Sequence, residues 1–457
     1  MYRFKQLILL GGDLVCCLFS LWLALTVRYL ELPAAADFIV HAWLFGGLFF
    51  LWTVVNFITG LYDLSALRGA TQYRRLAEAG AISFGLSILI LYLLPPALTP
   101  KTILLLTTVI AYALCGLWRL VFTTYIARSK LHTRVIMLGF DAEAEELVGI
   151  LDRYPERGYK VVAVLDPDKK MPSEHASATI YRSLQALRPA ISTHRANLIV
   201  TAPYLKNNEE TIRELYELLF WPVKITDVPS FYELVTGRVP PTTFSEAWFL
   251  SNIATVDDPL YQKLRRALDY LAGAAMGAIL IVLFPLIALG TKLSSRGPVF
   301  FSQRRVGRYG ALFTLHKFRT MYALSADGSA EQGEAQFAQK DDKRITPFGK
   351  LLRKTRLDEL PQAWNLLAGD ITLIGPRPER PEIVAKLEAR MPYYPLRHVV
   401  KPGITGWAAI HQHYTDTLDT TLQKLQYDLY YIKNRSVVLD LSILLRTVNV
   451  VLRMMGQ

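Results

Sequence analysis

The stretch ALDYLAGAAMGAILIVLFPLIAL, residues 267–289, decides how the second half of this chain meets a membrane. It is long enough to cross, because roughly 20 apolar residues in a helix span the core of a bilayer. Pro285 lacks a backbone N–H and breaks or bends a helix. Cations flank the run on both sides: Lys263, Arg265, Arg266, Lys292 and Arg296. Because basic residues stay on the cytoplasmic face, two basic flanks disfavour placing the ends of the run on opposite faces of the membrane. We therefore predict a re-entrant helix that breaks at Pro285 and returns to the same face, with an ordinary fifth span as the alternative.

The first part of the chain carries four more apolar runs, at about 7–27, 39–60, 79–97 and 102–123. Their lengths predict a four-span transmembrane domain over residues 1–128, with a soluble helical bundle as the alternative. Cations cluster before the first run, between the second and third, and after the fourth: Arg3, Lys5, Arg68, Arg74, Arg75, Arg119, Arg128, Lys130 and Arg134. The positive-inside rule places these ends, and the remainder of the chain, in the cytoplasm.

The charge balance indicates which partners to expect. The chain has 457 residues and a formal net charge of +12. Beside membrane segments, this charge favours membrane lipid headgroups and phosphorylated ligands, and we predict no nucleic-acid partner. Cys16, Cys17 and Cys115 lie in apolar runs and form no CxxC pair. Neither a disulfide framework nor a zinc site is therefore expected.

Residues 129–255 alternate between strand-like and helix-like stretches. RVIMLGF (134–140) and KVVAVLD (160–166) are typical of buried strands, and a helical pattern lies between them. This βαβ pattern predicts a Rossmann-like module with a parallel sheet. The glycine-rich fingerprint of a dinucleotide site is reduced to Gly139, and Asp141 and Glu143 would repel a pyrophosphate. We therefore predict a structural, oligomerising or regulatory module that does not bind NAD.

Two adjacent acids stand out in TRLDELPQAWNLLAGDITLIGPRPERPE, residues 355–382: Asp358 and Glu359. On a helix their side chains would point about 100° apart, so they can flank one ion or divide two roles. Carboxylates among cations suit phosphoryl chemistry, in which an acid attacks phosphorus or holds Mg²⁺ and nearby positive charge keeps it ionised. The alternative is a solvated helix face with ordinary ion pairs. The nearby cations include Arg353, Arg356, Arg377, Arg380 and Lys401.

From about Asp269 onward the sequence closely resembles the bacterial sugar transferase family, the monotopic phosphoglycosyl transferases. The matching stretches are SSRGPVFFSQRRVGRYGALFTLHKFRTM, RITPFGKLLRKTRLDELPQAWNLLAGDITLIGPRPERPE, KPGITGWAAI and LQYDLYYIKNRSVVLDLSILLRTV. The resemblance implies a mixed α/β catalytic domain over residues 256–457, with its re-entrant helix at 267–289. Four spans and a Rossmann-like module ahead of that domain resemble the long-form members.

The resemblance also implies a reaction at the cytoplasmic face of the bacterial inner membrane. Asp358 would attack a UDP-sugar, release UMP and carry an aspartyl phosphosugar, which undecaprenyl phosphate then accepts. Glu359 would assist proton transfer or hold Mg²⁺, for which Mn²⁺ can substitute. Arg353 and Arg377 fall on the family's arginines, and the further cations expected to bind substrate are Arg380, Lys317, Arg319 and Lys401.

The resemblance leaves several points open. The product would begin an exopolysaccharide, O-antigen or capsule, and glucose is the sugar expected first, with galactose or an N-acetylhexosamine as alternatives. A homodimer is a family-level expectation. The rival interpretation is a catalytically inactive membrane scaffold or sensor, and the intact acid pair argues against it.

Overall fold

The computed structural model describes residues 2–62, 71–92, 101–127, 132–167, 178–253, 258–324, 342, 344–412 and 417–452. The chain divides into two compact units, Met1–Thr236 and Gly237–Gln457. Residues 237–253 belong to the second unit, although the sequence predicts them as the end of the sheet module. Val239 and Phe249 are buried there with Tyr394 and Leu429, and their apolar side chains explain that placement.

The first unit begins with four long helices, as the apolar runs predict. They are α1 (Tyr2–Tyr29), α2 (Ala35–Ile58), α3 (Thr71–Tyr92) and α4 (Lys101–Val121), and a π-helix at Phe122–Ala127 follows. Within the described residues, three segments of this unit are long and apolar enough to cross a membrane: Phe4–Tyr29, Ala35–Ile58 and Thr102–Thr124. Outside the described residues lie the predicted end of the third span, 93–97, and the orienting cations Arg68, Arg128 and Lys130.

A buried ion pair joins α1 to α4 inside this bundle. Arg119 donates to both carboxylate oxygens of Asp13, at 2.7 and 2.9 Å. Tyr112 adds a second polar link, donating to Asn56 at 3.1 Å and lying 2.8 Å from the hydroxyl of Ser83. Charged groups among apolar helices are costly unless they are paired, so these contacts select one packing of the helices.

The Rossmann-like module follows as a parallel sheet with helices between its strands. Its elements are β1 (Thr133–Leu138), α5 (Ala142–Arg153), β2 (Tyr159–Leu165), β3 (Thr179–Tyr181), α6 (Leu187–His194), β4 (Leu198–Thr201), α7 (Glu209–Glu217), β5 (Lys224–Asp227) and α8 (Val228–Thr236). The strand order is β3-β2-β1-β4-β5, and every pairing is parallel. The predicted βαβ pattern is confirmed.

Side chains of the module lie close to the loop that follows β1, where a dinucleotide's phosphates would be expected. Gly139 has φ +86°, and a Cβ there would lie 2.8 Å from the hydroxyl of Tyr204. That hydroxyl also accepts from the backbone N–H of Phe140 at 3.1 Å. The carboxylate of Asp141 caps α5 by accepting from the N–H of Ala144 at 2.8 Å. A helix N-terminus that holds its own carboxylate is a poor site for a phosphate.

The second unit is built around one long helix. Its elements are α9 (Glu246–Ile253), α10 (Pro259–Ser294), β6 (Phe300–Val306), β7 (Leu312–Phe318), α11 (Pro347–Thr355), α12 (Gln362–Ala368), β8 (Thr372–Ile374), α13 (Pro381–Glu388), β9 (Gly403–Thr405), α14 (Trp407–His411), α15 (Leu418–Lys433) and α16 (Val437–Leu452). Strands β6 and β7 form an antiparallel hairpin, and β8 pairs with β9 in parallel.

Helix α10 is also long and apolar enough to cross a membrane. It continues through Pro285 to Ser294, which corrects the prediction that the helix is broken there. A proline removes one backbone hydrogen bond and can bend a helix without ending it. One face packs closely on the rest of the second unit, since a Cβ at Gly290 would lie 2.5 Å from the ring of Phe348. Large apolar side chains elsewhere on the helix are exposed: Leu271, Ile281, Val282, Leu286, Leu289 and Leu293.

Candidate active site

The acid pair lies on a short 3-10 turn between two helices, not on a helix as the sequence suggested. Helix α11 ends at Thr355, and Arg356 adopts a left-handed backbone with φ 58°. The turn Leu357–Glu359 follows. A left-handed conformation is costly for a residue other than glycine, and such strain clusters at functional sites. Both carboxylates are carried into the interior, where Asp358 and Glu359 are each only 7% exposed.

Three cations hold Glu359 in its ionised form. The ammonium of Lys317 on β7 donates to Oε1 of Glu359 at 2.9 Å. Guanidinium nitrogens of Arg356 and Arg377 both lie 3.7 Å from the same oxygen. Burial by itself would favour the neutral acid, but these positive charges outweigh it and lower the pKa of Glu359 to about 2. A carboxylate with so low a pKa is a weak proton acceptor, so the geometry favours an electrostatic or ligand role over proton transfer.

Asp358 behaves in the opposite way. Burial and the charge of Glu359 raise its pKa to about 6, against the attraction of Lys317 and Arg353. The surrounding cations favour the ionised form, as the sequence predicts, but desolvation exceeds their effect and the pKa lies above its usual value. A group with a pKa near 6 is still roughly nine-tenths ionised at pH 7. Its Oδ1 is buried and has no hydrogen-bond partner among the described residues, so this oxygen is available for chemistry.

The predicted arginines flank the pair. Arg353 lies on α11, where its Nε donates to the hydroxyl of Thr320 at 2.8 Å. Arg377 lies on the loop between β8 and α13, and its side chain is 46% exposed. Arg356 also reaches the pair but was not among the predicted site residues. Its position two residues before Asp358 is the sequence signal that could have identified it. The direction in which its left-handed backbone turns the chain is visible only in the structure.

Other predicted substrate-binding cations serve the scaffold. Arg319 is buried and donates to the backbone carbonyls of Thr291, Ser295 and Arg296, at 3.3, 2.7 and 2.8 Å. It thereby caps the end of α10, because the last carbonyls of a helix lack partners within the helix. Lys401 caps α12 in the same way, donating to the carbonyl of Gly369 at 2.6 Å. These contacts give both side chains a structural role, and their contact with substrate stays a prediction.

Arg380 pairs with a different carboxylate from the one that Lys317, Arg356 and Arg377 contact. Its Nε is 3.4 Å from a carboxylate oxygen of Glu382 on α13. Arg380 itself precedes Pro381, the first residue of that helix. The structure therefore joins Lys317, Arg353 and Arg377 around the pair, and it places Arg380 beside the start of α13.

The acid pair fits a magnesium ion only in part. Among the described residues, no group of three or more His, Cys, Asp or Glu side chains could enclose a metal ion. Mg²⁺, however, is commonly held by one or two carboxylates together with the phosphates of a substrate. The unpartnered Oδ1 of Asp358 matches that arrangement. Asp358 and Glu359 are thus the residues that would hold the ion once a diphosphate supplies further oxygens.

Two family models match the chain. The model described as bacterial sugar transferase matches residues 260–454, which contain the acid pair and its cations. The model described as a CoA-binding domain matches residues 57–229, from the end of α2 through the parallel sheet.

Three relatives show how widely the similarity extends. A UDP-N-acetylgalactosamine-undecaprenyl-phosphate N-acetylgalactosaminephosphotransferase of Aeromonas hydrophila is 40% identical over 238 residues, 51% of this chain and 53% of the relative. A UDP-glucose:undecaprenyl-phosphate glucose-1-phosphate transferase of Caulobacter vibrioides is 39% identical, over 40% of this chain and 68% of the relative. An undecaprenyl-phosphate galactose phosphotransferase of Salmonella typhimurium is 31% identical, over 71% of this chain and 69% of the relative. The matched region is thus about half of the first relative, and the three names specify three different sugars.

Proposed function

We propose that this chain, which belongs to the bacterial sugar transferase family, transfers a sugar 1-phosphate from a UDP-sugar to undecaprenyl phosphate. The observation that carries the proposal is the buried, unpartnered Oδ1 of Asp358. The nearby cations Lys317, Arg353 and Arg356 also act on the charge of this carboxylate. A buried carboxylate oxygen surrounded by positive charge is suited to attack a phosphorus that itself carries negative charge.

In the first step, Oδ1 of Asp358 forms a bond to the sugar-linked phosphorus. The bond from that phosphorus to the bridging oxygen breaks, and UMP leaves with the oxygen. Arg377 and Arg353 stabilise the charge on the transferring group and on the leaving phosphate. Glu359 stays ionised and holds Lys317 and Arg377 in place. When bound to the two carboxylates, Mg²⁺ would neutralise further phosphate charge.

In the second step, a phosphate oxygen of undecaprenyl phosphate attacks the same phosphorus. The bond to Asp358 breaks, the carboxylate is regenerated, and an undecaprenyl diphosphate sugar is released. Dividing the transfer into two displacements lets one carboxylate serve two substrates in turn. Such a product is the starting unit for an exopolysaccharide, an O-antigen or a capsule.

The position of α10 supports a cytoplasmic active site on one face of the bacterial inner membrane. Before Pro285, Asp269 accepts from the backbone N–H of Leu373 at 2.7 Å; after it, Thr291 accepts from Arg319. A straight helix would separate Asp269 from Thr291 by about 33 Å, roughly the thickness of a bilayer core. A crossing helix would therefore draw the irregular backbone of the catalytic unit into lipid, where it cannot be satisfied. We propose instead that α10 enters and returns, which leaves the acid pair in reach of cytoplasmic UDP-sugars.

A test of the reaction is release of UMP from a panel of UDP-sugars in the presence of undecaprenyl phosphate. UDP-glucose is the donor that we predict first, and UDP-galactose, UDP-N-acetylglucosamine and UDP-N-acetylgalactosamine complete the panel. Asp358→Asn keeps the size of the side chain but removes its charge, so turnover should vanish while the fold remains. Mass spectrometry should find the phosphosugar on a peptide that contains Asp358. Undiminished turnover in the variant, or a phosphosugar on another residue, would contradict the assignment.

The proposed metal has its own test. Turnover should stop in EDTA and return with Mg²⁺ or Mn²⁺, because a diphosphate in a buried site carries more charge than the nearby side chains neutralise. Glu359→Gln should raise the Mg²⁺ concentration needed for half-maximal rate. Full activity in the chelator would show that the cations of the pocket are sufficient.

No UMP release with any donor would favour the rival proposal, a membrane scaffold without activity. The same experiment therefore separates the two functions. A homodimer remains a prediction, which the mass of the detergent-solubilised chain would test.

A further inference from the structure

We infer that Arg397 is a positioning residue for Arg377, acting through the backbone of the loop that carries it. The inference rests on the proposed function, because Arg377 is there the cation that meets the phosphates. It concerns a buried side chain that contacts neither the acid pair nor, in the proposed reaction, the substrate. Arg377 lies in the loop of residues 375–379, which we call the GPRPE loop.

Four successive carbonyls of the GPRPE loop accept hydrogen bonds from three parts of the second unit: strand β9, the turn that carries Arg397, and strand β6. The carbonyl of Pro376 accepts from the N–H of Gly403 at 2.9 Å. The carbonyl of Arg377 accepts from Nη2 of Arg397 at 3.0 Å. The carbonyl of Pro378 accepts from Nη1 of Arg305 at 3.1 Å, and that of Glu379 from the N–H of Val306 at 3.0 Å. The backbone of the loop is thus fixed at each peptide around Arg377.

Arg397 makes the bond at the central peptide, and it is itself held on two other sides. Its Nε and Nη2 donate to one carboxylate oxygen of Asp428, at 3.1 and 2.7 Å. Its Nη1 donates to the hydroxyl of Tyr394 at 2.6 Å. Arg397 and Asp428 are each 2% exposed. The position of this guanidinium is therefore set by α15, which carries Asp428, and by the turn that carries Tyr394.

The arrangement suits a positioning role better than a purely stabilising one. A buried ion pair is often no more stabilising than apolar side chains of the same volume, because both charges lose their hydration. What the pair provides is a rigid donor aimed at one carbonyl. Arg377 gains from such support, because its side chain is 46% exposed and its ion pair with Glu359, at 3.7 Å, is longer than a hydrogen bond. A displacement of about 1 Å in a substrate-positioning group can cost on the order of 100-fold in rate.

The test is a double-mutant cycle in the full-length chain in detergent, with single-turnover UMP release as the readout. Arg397→Lys keeps the charge, but a single ammonium cannot replace a fork that binds three partners. Alone, it should lower the rate about 10- to 100-fold. In a background of Arg377→Lys, the same change should cost less than about 2-fold, because the side chain being positioned is already altered. Equal losses in the two backgrounds would overturn the inference.

Two further measurements keep the result interpretable if Arg397→Lys impairs folding. Tyr394→Phe removes only the bond at 2.6 Å and should give a smaller loss that also disappears in the Arg377→Lys background. A loss that persists there counts against positioning. Thermal unfolding of each variant reports on stability separately from rate.

Failure of the inference can be told apart from failure of the proposed function. If Asp358→Asn retains turnover, the reaction itself is wrongly assigned. If Asp358→Asn is inactive while the cycle is additive, the reaction stands and Arg397 is structural only.

Discussion

Asp358 and Glu359 are neighbours in the chain, yet burial and charge move their pKa values in opposite directions. Glu359 receives Lys317 at 2.9 Å and two arginines at 3.7 Å, whereas Oδ1 of Asp358 is buried without a hydrogen-bond partner. When two carboxyl groups are adjacent, ionisation of one disfavours ionisation of the other. The cations near Glu359 keep that acid fully ionised. The other becomes the adjustable group, which is what a nucleophile near neutral pH requires.

The pH dependence of the rate follows from this division. In the proposed reaction the attacking form of Asp358 is the carboxylate, and its pKa is raised to about 6. Single-turnover release of UMP should therefore be full near pH 7.5 and should fall as the pH drops through about 6. Because the two acids are close, the apparent value belongs to the pair. A rate that stays constant down to pH 4.5 would contradict the assignment.

Removing Lys317 should shift the pH at which the rate falls, which we call the acid limb, in a known direction. Lys317 lowers the pKa of Asp358, so Lys317→Met should shift the acid limb to higher pH. Lys354→Met is the matched control. Lys354 is exposed on α11, four residues before Asp358, and the change removes the same charge. The control should leave the limb where it is. A shift of equal size in both variants would mean that only the net charge matters.

At the scale of elements, the parallel sheet combines the strand order of a nucleotide-binding fold with an altered first loop. The strand order β3-β2-β1-β4-β5 is that of a nucleotide-binding sheet. Yet Tyr204 lies over Gly139, and Asp141 supplies the anion at the start of α5. The match to a CoA-binding domain covers this sheet, and the side chains of Tyr204 and Asp141 lie at the loop where a phosphate would be expected.

We accordingly predict that NAD and coenzyme A, which both carry a diphosphate, bind this module weakly or not at all. Calorimetric titration of the full-length chain in detergent should show no saturable heat below about 1 mM of either ligand. Asp141→Asn removes the charge that repels a phosphate and should bind slightly better than the wild type. Micromolar binding by the unaltered chain would show that Tyr204 and Asp141 move aside.

At the scale of the whole molecule, the topology of α10 decides which compartment the active site faces. Single cysteines at Ser251 and Arg304, before and after α10, test it in a background that lacks Cys16, Cys17 and Cys115. In intact cells, neither should react with an impermeant thiol reagent until the membrane is opened. A cysteine at Ala34, between the first two spans, should react at once. If the cysteine at 304 reacts in intact cells, α10 is a true crossing helix.

Sequence alone determined the features that depend on local pattern. Long apolar runs predicted α1 to α4 and α10, alternating hydrophobic stretches predicted the parallel sheet, and the motif around Asp358 predicted the family. These signals are local because a helix or strand is chosen by its own periodicity and by the length of its apolar face. Arg353 and Arg377 could be named in advance because they stand in the same motif stretch as the acids, and Lys317 because it stands in another stretch that resembles the family.

Only the tertiary structure decided how the charges are distributed. It placed Arg319 and Lys401 at helix ends, turned Arg356 toward Glu359, and withdrew Asp358 far enough from water to raise its pKa. The sequence lists these groups without distances, whereas the energy of a charge depends on its burial and on separations of a few ångströms. For the same reason, the bond from Arg397 to the carbonyl of Arg377, between residues 20 positions apart, becomes visible only when the chain is folded.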